Sequence, residues 1–191
     1  MSLLKIARMG HPVLRRTADP VVDPTDPAVA QLIADMVETM LDASGVGLAA
    51  PQVHVSRRII VFQVPAARRH HDEPVGPDGV MALINPVVEP LGDRVESGIE
   101  GCLSIPELRG VVPRWAAIRY SGIGADGAPV TCEAHGFHAR VVQHEVDHLD
   151  GVLYLDRMLD LRLLAFESEL QYLVDEAATL AALDAAEGTS P

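Results

Sequence analysis

A chain of 191 residues that is 48 % apolar is long enough for one domain with a real hydrophobic core and too apolar to be disordered. Its formal net charge of −12 excludes a nucleic-acid footprint over most of the surface, and two cysteines, Cys102 and Cys132, exclude a disulfide framework. Lys5 and Arg8 interrupt the only apolar run near the start, and no stretch reaches the roughly 18 apolar residues of a membrane span, so the expectation is one cytoplasmic domain over 1–191.

Val13 to Pro20 reads as an irregular or extended entry segment. Asp26-Pro27 has the form of a helix N-cap followed by proline at the first helical position. Val29, Leu32, Ile33, Met36, Val37, Met40 and Leu41 then recur on one stripe at helical period, and Ser44-Gly45 ends the helix. Gly45-Val46-Gly47-Leu48-Ala49-Ala50-Pro51-Gln52 reads as a loop, whose glycines let a ligand approach the main chain closely. It lacks the flanking strand and helix of a nucleotide-binding fingerprint.

Arg58 to Val64 is β-branched and apolar, which predicts a strand buried on both faces. Pro65 to Gly79, with Arg68-Arg69-His70-His71, reads as an exposed loop rather than a metal site, because adjacent histidines do not face one ion. Met81 to Ile84 and Val87-Val88 read as short strands broken at Asn85-Pro86, with a further strand over Arg94 to Ser97. Asp126-Gly127 predicts a hairpin between Trp115–Ile123 and Val130–His135. A second helix carries His144 and His148, buries Val141, Val142, Val146 and Leu149, and stops at Gly151. Leu153-Tyr154-Leu155 reads as a short strand, Leu161 to Leu183 as a helix capped by Asp160, and 184–191 as a frayed tail. The order points to an α+β fold: largely antiparallel β-sheets packed around a central histidine-bearing helix, with an N-terminal and a C-terminal helix.

His144-Glu145-Val146-Asp147-His148 is a His-Glu-x-x-His stretch. On a helix, residues four apart lie one above the other, so two imidazoles can hold one metal ion with Glu145 beside them as general base. Four sources of a third ligand compete. A metzincin needs histidine at position 154, which is Tyr154. A thermolysin-like peptidase would use Glu167 or Glu169, both on an acidic stripe. Cys132 and His135, in Cys-x-x-His spacing, would close a structural zinc site. Cys102, framed by Gly101 and Ser104, would leave a fourth position open, as in a catalytic site. Spacing alone does not choose between the cysteines.

Three separated motifs resemble those of the peptide deformylase family. Gly45 to Gln52 is similar to its Gly-φ-Gly-φ-Ala-Ala-x-Gln motif, with φ apolar, Glu100 to Ser104 to its Glu-Gly-Cys-φ-Ser motif, and Gln143 to Gly151 to its Gln-His-Glu-φ-Asp-His-φ-x-Gly motif. Ile84-Asn85-Pro86 and Ile105-Pro106-Glu107 extend the match, which covers about residues 8 to 158.

The resemblance implies removal of the formyl group from N-formyl-methionyl peptides or nascent chains, with release of formate. It implies that Cys102, His144 and His148 hold one divalent ion, Fe2+ in the cell with Zn2+, Ni2+ or Co2+ as substitutes, and that a metal-bound water attacks the formyl carbonyl with Glu145 as general base. The oxyanion donors are then the Gln52 amide and the Leu103 backbone N–H. Gly45 and Gly47 let the peptide pair like an added strand, Val46, Phe137, Arg140 and Val141 form the methionine pocket, and Gln143 and Asp147 orient the ligands. Some family members carry a basic C-terminal helix that contacts the ribosome. Here residues 160–191 hold Asp160, Glu167, Glu169, Asp175, Glu176, Asp184 and Glu187 against Arg162, which leaves any transient ribosome contact to another surface.

Overall fold

The structure, a computed structural model, describes residues 2–68 and 79–173. The first helix, α1 (Pro27–Asp42), starts as its sequence dictates, with the Asp26 carboxylate accepting the Ala28 N–H at 2.8 Å and Pro27 in the first turn. Ile33, Met36 and Met40 are buried. Leu41, expected on the same stripe, is exposed, and Thr39 turns inward instead. The Thr39 hydroxyl donates to the Asp35 carbonyl at 2.6 Å and accepts the Leu4 N–H at 2.9 Å, so a polar residue is satisfied in a buried position.

Five antiparallel strands form the larger sheet, in the order β1 (Gly47–Ala49), β2 (Ile59–Gln63), β3 (Val80–Pro90), β6 (Ala117–Ile123) and β7 (Pro129–His135). β2 is buried on both faces, as its composition predicts. Ile59 and Val61 join Met36 and Met40 of α1, while Ile60 and Phe62 join Tyr120, Val142 and Leu149 beneath α2 (Gly136–Leu149). Each such side chain contributes about 1.5–3 kcal/mol of burial. The smaller sheet has the order β4 (Val95–Cys102), β5 (Ile105–Trp115), β8 (Leu164–Phe166), and a third cluster of Leu14, Cys102, Ile105, Val112 and Tyr154 packs against it. The fold is α+β, with antiparallel sheets around the histidine-bearing helix.

Several elements differ from the sequence-based expectations. Asn85-Pro86 does not break β3 but makes a bulge: Asn85 takes a left-handed conformation (φ 52°), and its side-chain amide makes two 2.9 Å bonds to the Val21 backbone. The strand expected at Arg94–Ser97 runs on to Cys102, and β5, with two prolines and no clean alternation, follows a tight turn at Leu103-Ser104. Leu153-Tyr154-Leu155 is not a strand. A single helical turn, α3 (Tyr154–Arg157), forms there, with the Asp156 carboxylate accepting the Leu153 N–H at 2.8 Å.

The helix expected over Leu161 to Leu183 begins instead as a 3-10 turn, Leu161–Leu163, capped by Asp160, and then β8. Leu164, Ala165 and Phe166 pair with Gly110, Arg109 and Leu108, and this edge pairing overrides the helical spacing, leaving Leu161 and Phe166 exposed. Residues 170–173 are helical; the rest of that expected helix and the 184–191 tail lie outside the described residues. So do His70 and His71 of the expected exposed loop. Among the described residues, no helix is long and apolar enough to cross a membrane.

Candidate metal centre and active site

α2 places the two histidines. It begins at Gly136 (φ 52°) after extended His135 and ends in a Schellman closure, with Val152 N–H donating to the Asp147 carbonyl at 2.9 Å and Gly151 N–H to the His148 carbonyl. Gly151 has φ 73°, and a Cβ there would meet the Arg15 carbonyl carbon at 2.8 Å, so the expected stop is required on both counts. Four residues apart on the helix, the His144 and His148 rings lie 5.1 Å apart. Cys102 arrives from the end of β4, and its sulfur is 3.2 Å from His148 Nε2. One ligand atom from each of the three lies within 4.8 Å of the others.

A thiolate and two imidazoles suit a divalent transition ion and leave a coordination position for a reactant. Burial pushes the Cys102 thiol up, but the adjacent His148 and His144 outweigh it and hold the group well below the ordinary thiol range. Burial likewise pushes His144 down, while Cys102 and Glu100 raise it well above an ordinary imidazole. The two shifts share one cause, the close approach of the sulfur to the imidazole rings.

The competing ligand sets are not assembled. Cys132 lies in the core beneath α2, whereas His135, at the end of β7, is exposed, and the two face opposite sides of the strand. Glu167 is exposed and pairs with Arg109 at 2.8 Å, and Glu169 is exposed beside Ser168. Cys102, His144 and His148 are the group that converges among the described residues.

A buried ionic network stands behind His144. Its Nδ1 is 2.8 Å from a Glu100 oxygen, which makes Nδ1–H the donor and leaves Nε2 for the ion. Arg114 grips Glu100 with two 2.9 Å bonds and also donates to Asp147. Burial pushes the Glu100 carboxyl up, but His144 and Arg114 together hold it well below the usual carboxylate range. Gln143 ties the helix to β5 rather than touching a ligand: its amide accepts from Trp115 N–H at 3.0 Å and donates to the Trp115 carbonyl at 2.9 Å.

Glu145 is 4 % exposed, and one carboxylate oxygen, Oε2, is buried without a hydrogen-bond partner. Burial, opposed in part by His144 and His148, pushes its carboxyl up to about 7. Such a group is poised to exchange protons near neutrality. Gly47 shows why that position holds no side chain: a Cβ there would lie 2.1 Å from Glu145 Oε1. Gly45 and Gly47 have no positive φ, so what needs the space is this carboxylate and, at Gly45, the Leu103 side chain, rather than an unusual backbone. Gly47→Ala is expected to fold, because the clash is with the free end of a side chain, but to lower kcat about 100-fold by displacing the carboxylate. Unchanged kcat with a full complement of metal would refute this.

Gln52 is oriented by its neighbours. Its Oε1 accepts the Ala49 N–H at 2.8 Å, which turns the NH2 toward Ser104 Oγ (3.2 Å) and Cys102 Sγ (3.5 Å). The N-terminal segment fastens both sides of this cradle, with Ala7 N–H donating to the Gln52 carbonyl at 2.7 Å and Met9 N–H to the Ser104 carbonyl at 2.8 Å. In front lies a cleft of about 510 Å³ that reaches Gln52, Cys102, Leu103, His144 and Glu145. Gly45, Val46, Gly47, Phe137, Arg140 and Val141 also line it. Arg140 brings little free charge to this wall, since its guanidinium donates to Glu100 and to the carbonyls of Val112 and Glu96 at 2.8, 2.7 and 2.6 Å. Among the described residues, β1 pairs only with β2 and β4 only with β5, so two strand edges border the cleft.

The family model for polypeptide deformylase matches residues 3–163. The chain belongs to the polypeptide deformylase family. It is 50 % identical over 168 residues to peptide deformylase 1 of Xanthomonas campestris pv. campestris, covering 88 % of this chain and 97 % of that one. The crystal structure of peptide deformylase from Thermotoga maritima superposes with a TM-score of 0.75 at 38 % identity, covering 84 % of this chain and all (100 %) of that one. The Met-Ala-Ser-bound crystal structure of class I type b peptide deformylase from Acinetobacter baumannii gives 0.71 at 33 % identity, over 82 % of this chain and 99 % of that one. The chain is thus a metal-dependent hydrolase that removes N-formyl groups from polypeptides. Arg114 and Arg157, which complete the network behind Glu100, left no signal in the sequence. Glu100 and Ser104 did, since both fall inside a family motif.

Proposed function

We propose that the chain deformylates N-formyl-methionyl peptides and nascent chains in the cytoplasm, acting as one catalytic domain over residues 1–191. The observation that carries the reading is the Cys102–His144–His148 cluster with the buried Glu145 carboxylate beside it at the base of the cleft. A bound divalent ion supplies Lewis acidity toward the formyl oxygen and a lowered water pKa. Glu145 takes the proton of the attacking water and delivers it to the leaving amine, so that a C–O bond forms, the C–N bond breaks and formate departs. The Gln52 NH2 and the Leu103 N–H donate to the negative charge that develops on the formyl oxygen. The peptide backbone pairs with the open strand edges at Gly45–Gly47 and β4, while Val46, Phe137 and Val141 receive the methionine side chain. Arg140 contributes the wall of that pocket rather than a charge.

Fe2+ is the proposed ion in the cell, with Zn2+, Ni2+ or Co2+ able to substitute, since a borderline-soft Cys-His-His set binds all four. Any transient ribosome contact is proposed for a surface other than the C-terminal segment, a reading the acidic Asp160, Glu167 and Glu169 support. The test is formate release from a formyl-Met-Ala peptide by protein purified without oxygen. The expected result is turnover of the formylated peptide, decay of activity in air, and no cleavage of the unformylated peptide. Internal cleavage without formate release would overturn the reading.

A further inference from the structure

The network behind His144 does not stop at Arg114. Asp147, one turn from His144 on α2 and nearly buried, receives Arg114 on one side and Arg157 of α3 on the other. Arg157 holds it through two bonds, Nη2 to Oδ1 at 2.7 Å and Nε to Oδ2 at 3.1 Å. Its own side chain is 50 % exposed. It borders a second groove, lined by Gln143, Val146 and Asp147 of α2 and the Asp150 that caps it, rather than by the cleft residues Arg140, Val141, His144 and Glu145. An unbroken line of charge-assisted hydrogen bonds therefore runs from a half-exposed guanidinium to an imidazole of the metal centre: Arg157, Asp147, Arg114, Glu100, His144.

We propose that Arg157 is a positioning residue for the metal centre, acting through Asp147 and Arg114 on the Glu100 carboxylate that orients His144. A carboxylate gripped through both oxygens cannot rotate. Without Arg157, Asp147 is free to turn toward water in the groove, Arg114 loses a fixed acceptor, and its two-bond hold on Glu100 loosens. The Glu100–His144 bond, which sets the tautomer and the ring angle, loosens with it. Arg157 lies outside the three family motifs, and it reaches Asp147 because α3 packs on the smaller sheet beside α2.

This rests on Cys102, His144 and His148 holding the ion, and the experiment separates the two ideas. Zinc affinity is measured by chelator competition for the parent, Arg157→Leu, Arg157→Lys and Cys102→Ser proteins. The NMR resonance of the His144 Nδ1–H is followed in the zinc-loaded parent and Arg157 variants. Arg157→Leu is expected to weaken zinc binding about 10-fold and to move the Nδ1–H resonance upfield, with KM at saturating metal unchanged. Arg157→Lys, which keeps the charge but cannot grip both Asp147 oxygens, is expected to recover only part of the affinity. A lowered Tm with unchanged affinity and resonance, or a lysine variant with the parent's full affinity, would overturn the proposal. Zinc retained in full by Cys102→Ser would instead overturn the metal-centre reading beneath it.

Discussion

Glu145→Gln is expected to lower kcat/KM for a formylated peptide by about 10²–10⁴-fold while the protein keeps its full complement of metal. The exchange keeps shape and volume and removes only the ability to accept a proton. Glu145 suits the experiment because it is buried beside the ligands, carries a carboxylate oxygen that nothing else uses, and is pushed up to about 7 mainly by burial. Removing a buried ionisable group of this kind does not break an ion pair, so the variant is expected to fold. Metal analysis beside the formate assay reads both halves of the claim. Full turnover in the variant would remove Glu145 from the reaction, and loss of metal would make it a ligand-supporting group instead.

Cys102→Ser is expected to weaken metal binding by more than about 100-fold, beyond what losing a group that merely orients a ligand costs, and activity is expected to fall with it. Cys132→Ser is expected to keep metal and turnover and to lose only stability, by about 1–3 kcal/mol for a hydroxyl placed in the core. Uptake by the parent chain should release protons, because, against burial, the Cys102 sulfur and Glu100 raise His144 above an ordinary imidazole and it must give up its proton to hold the ion. Affinity should therefore rise with pH until His144 loses its proton unaided, and level off above that. Calorimetry in two buffers of different ionisation heat checks the sign. Proton uptake on binding, or metal lost by Cys132→Ser alone, would contradict this assignment.

The sequence made the local parts of this molecule legible and left its long-range parts dark. α1 could be read because one stripe, one aspartate and one proline agree. β2 could be read because a strand buried on both faces needs no partner to explain its composition. The histidine pair was legible because helical pitch alone brings it together. Cys102 was harder, since it meets His148 across 46 residues, and only the family motif chose it over Cys132. Arg114 and Arg157 could not be found at all: an arginine in a strand and another in a short turn become a network only once β5 has docked on α2 and α3 on β5. The same holds for β8, whose pairing with Leu108–Gly110 is a tertiary choice that helical spacing in Leu161–Leu183 conceals.

The two amides that fasten the cradle, those of Ala7 and Met9, have a consequence for its motions. They join the carbonyls of Gln52, in the turn after β1, and Ser104, in the turn between β4 and β5, so the oxyanion side and the thiolate side cannot drift apart while that clasp is closed. When the first turns of the chain lift away, both sides loosen in the same event. Hydrogen exchange at Ala7 and Met9 should then share one opening rate, which makes the start of the chain a reporter on a centre completed about 140 residues later.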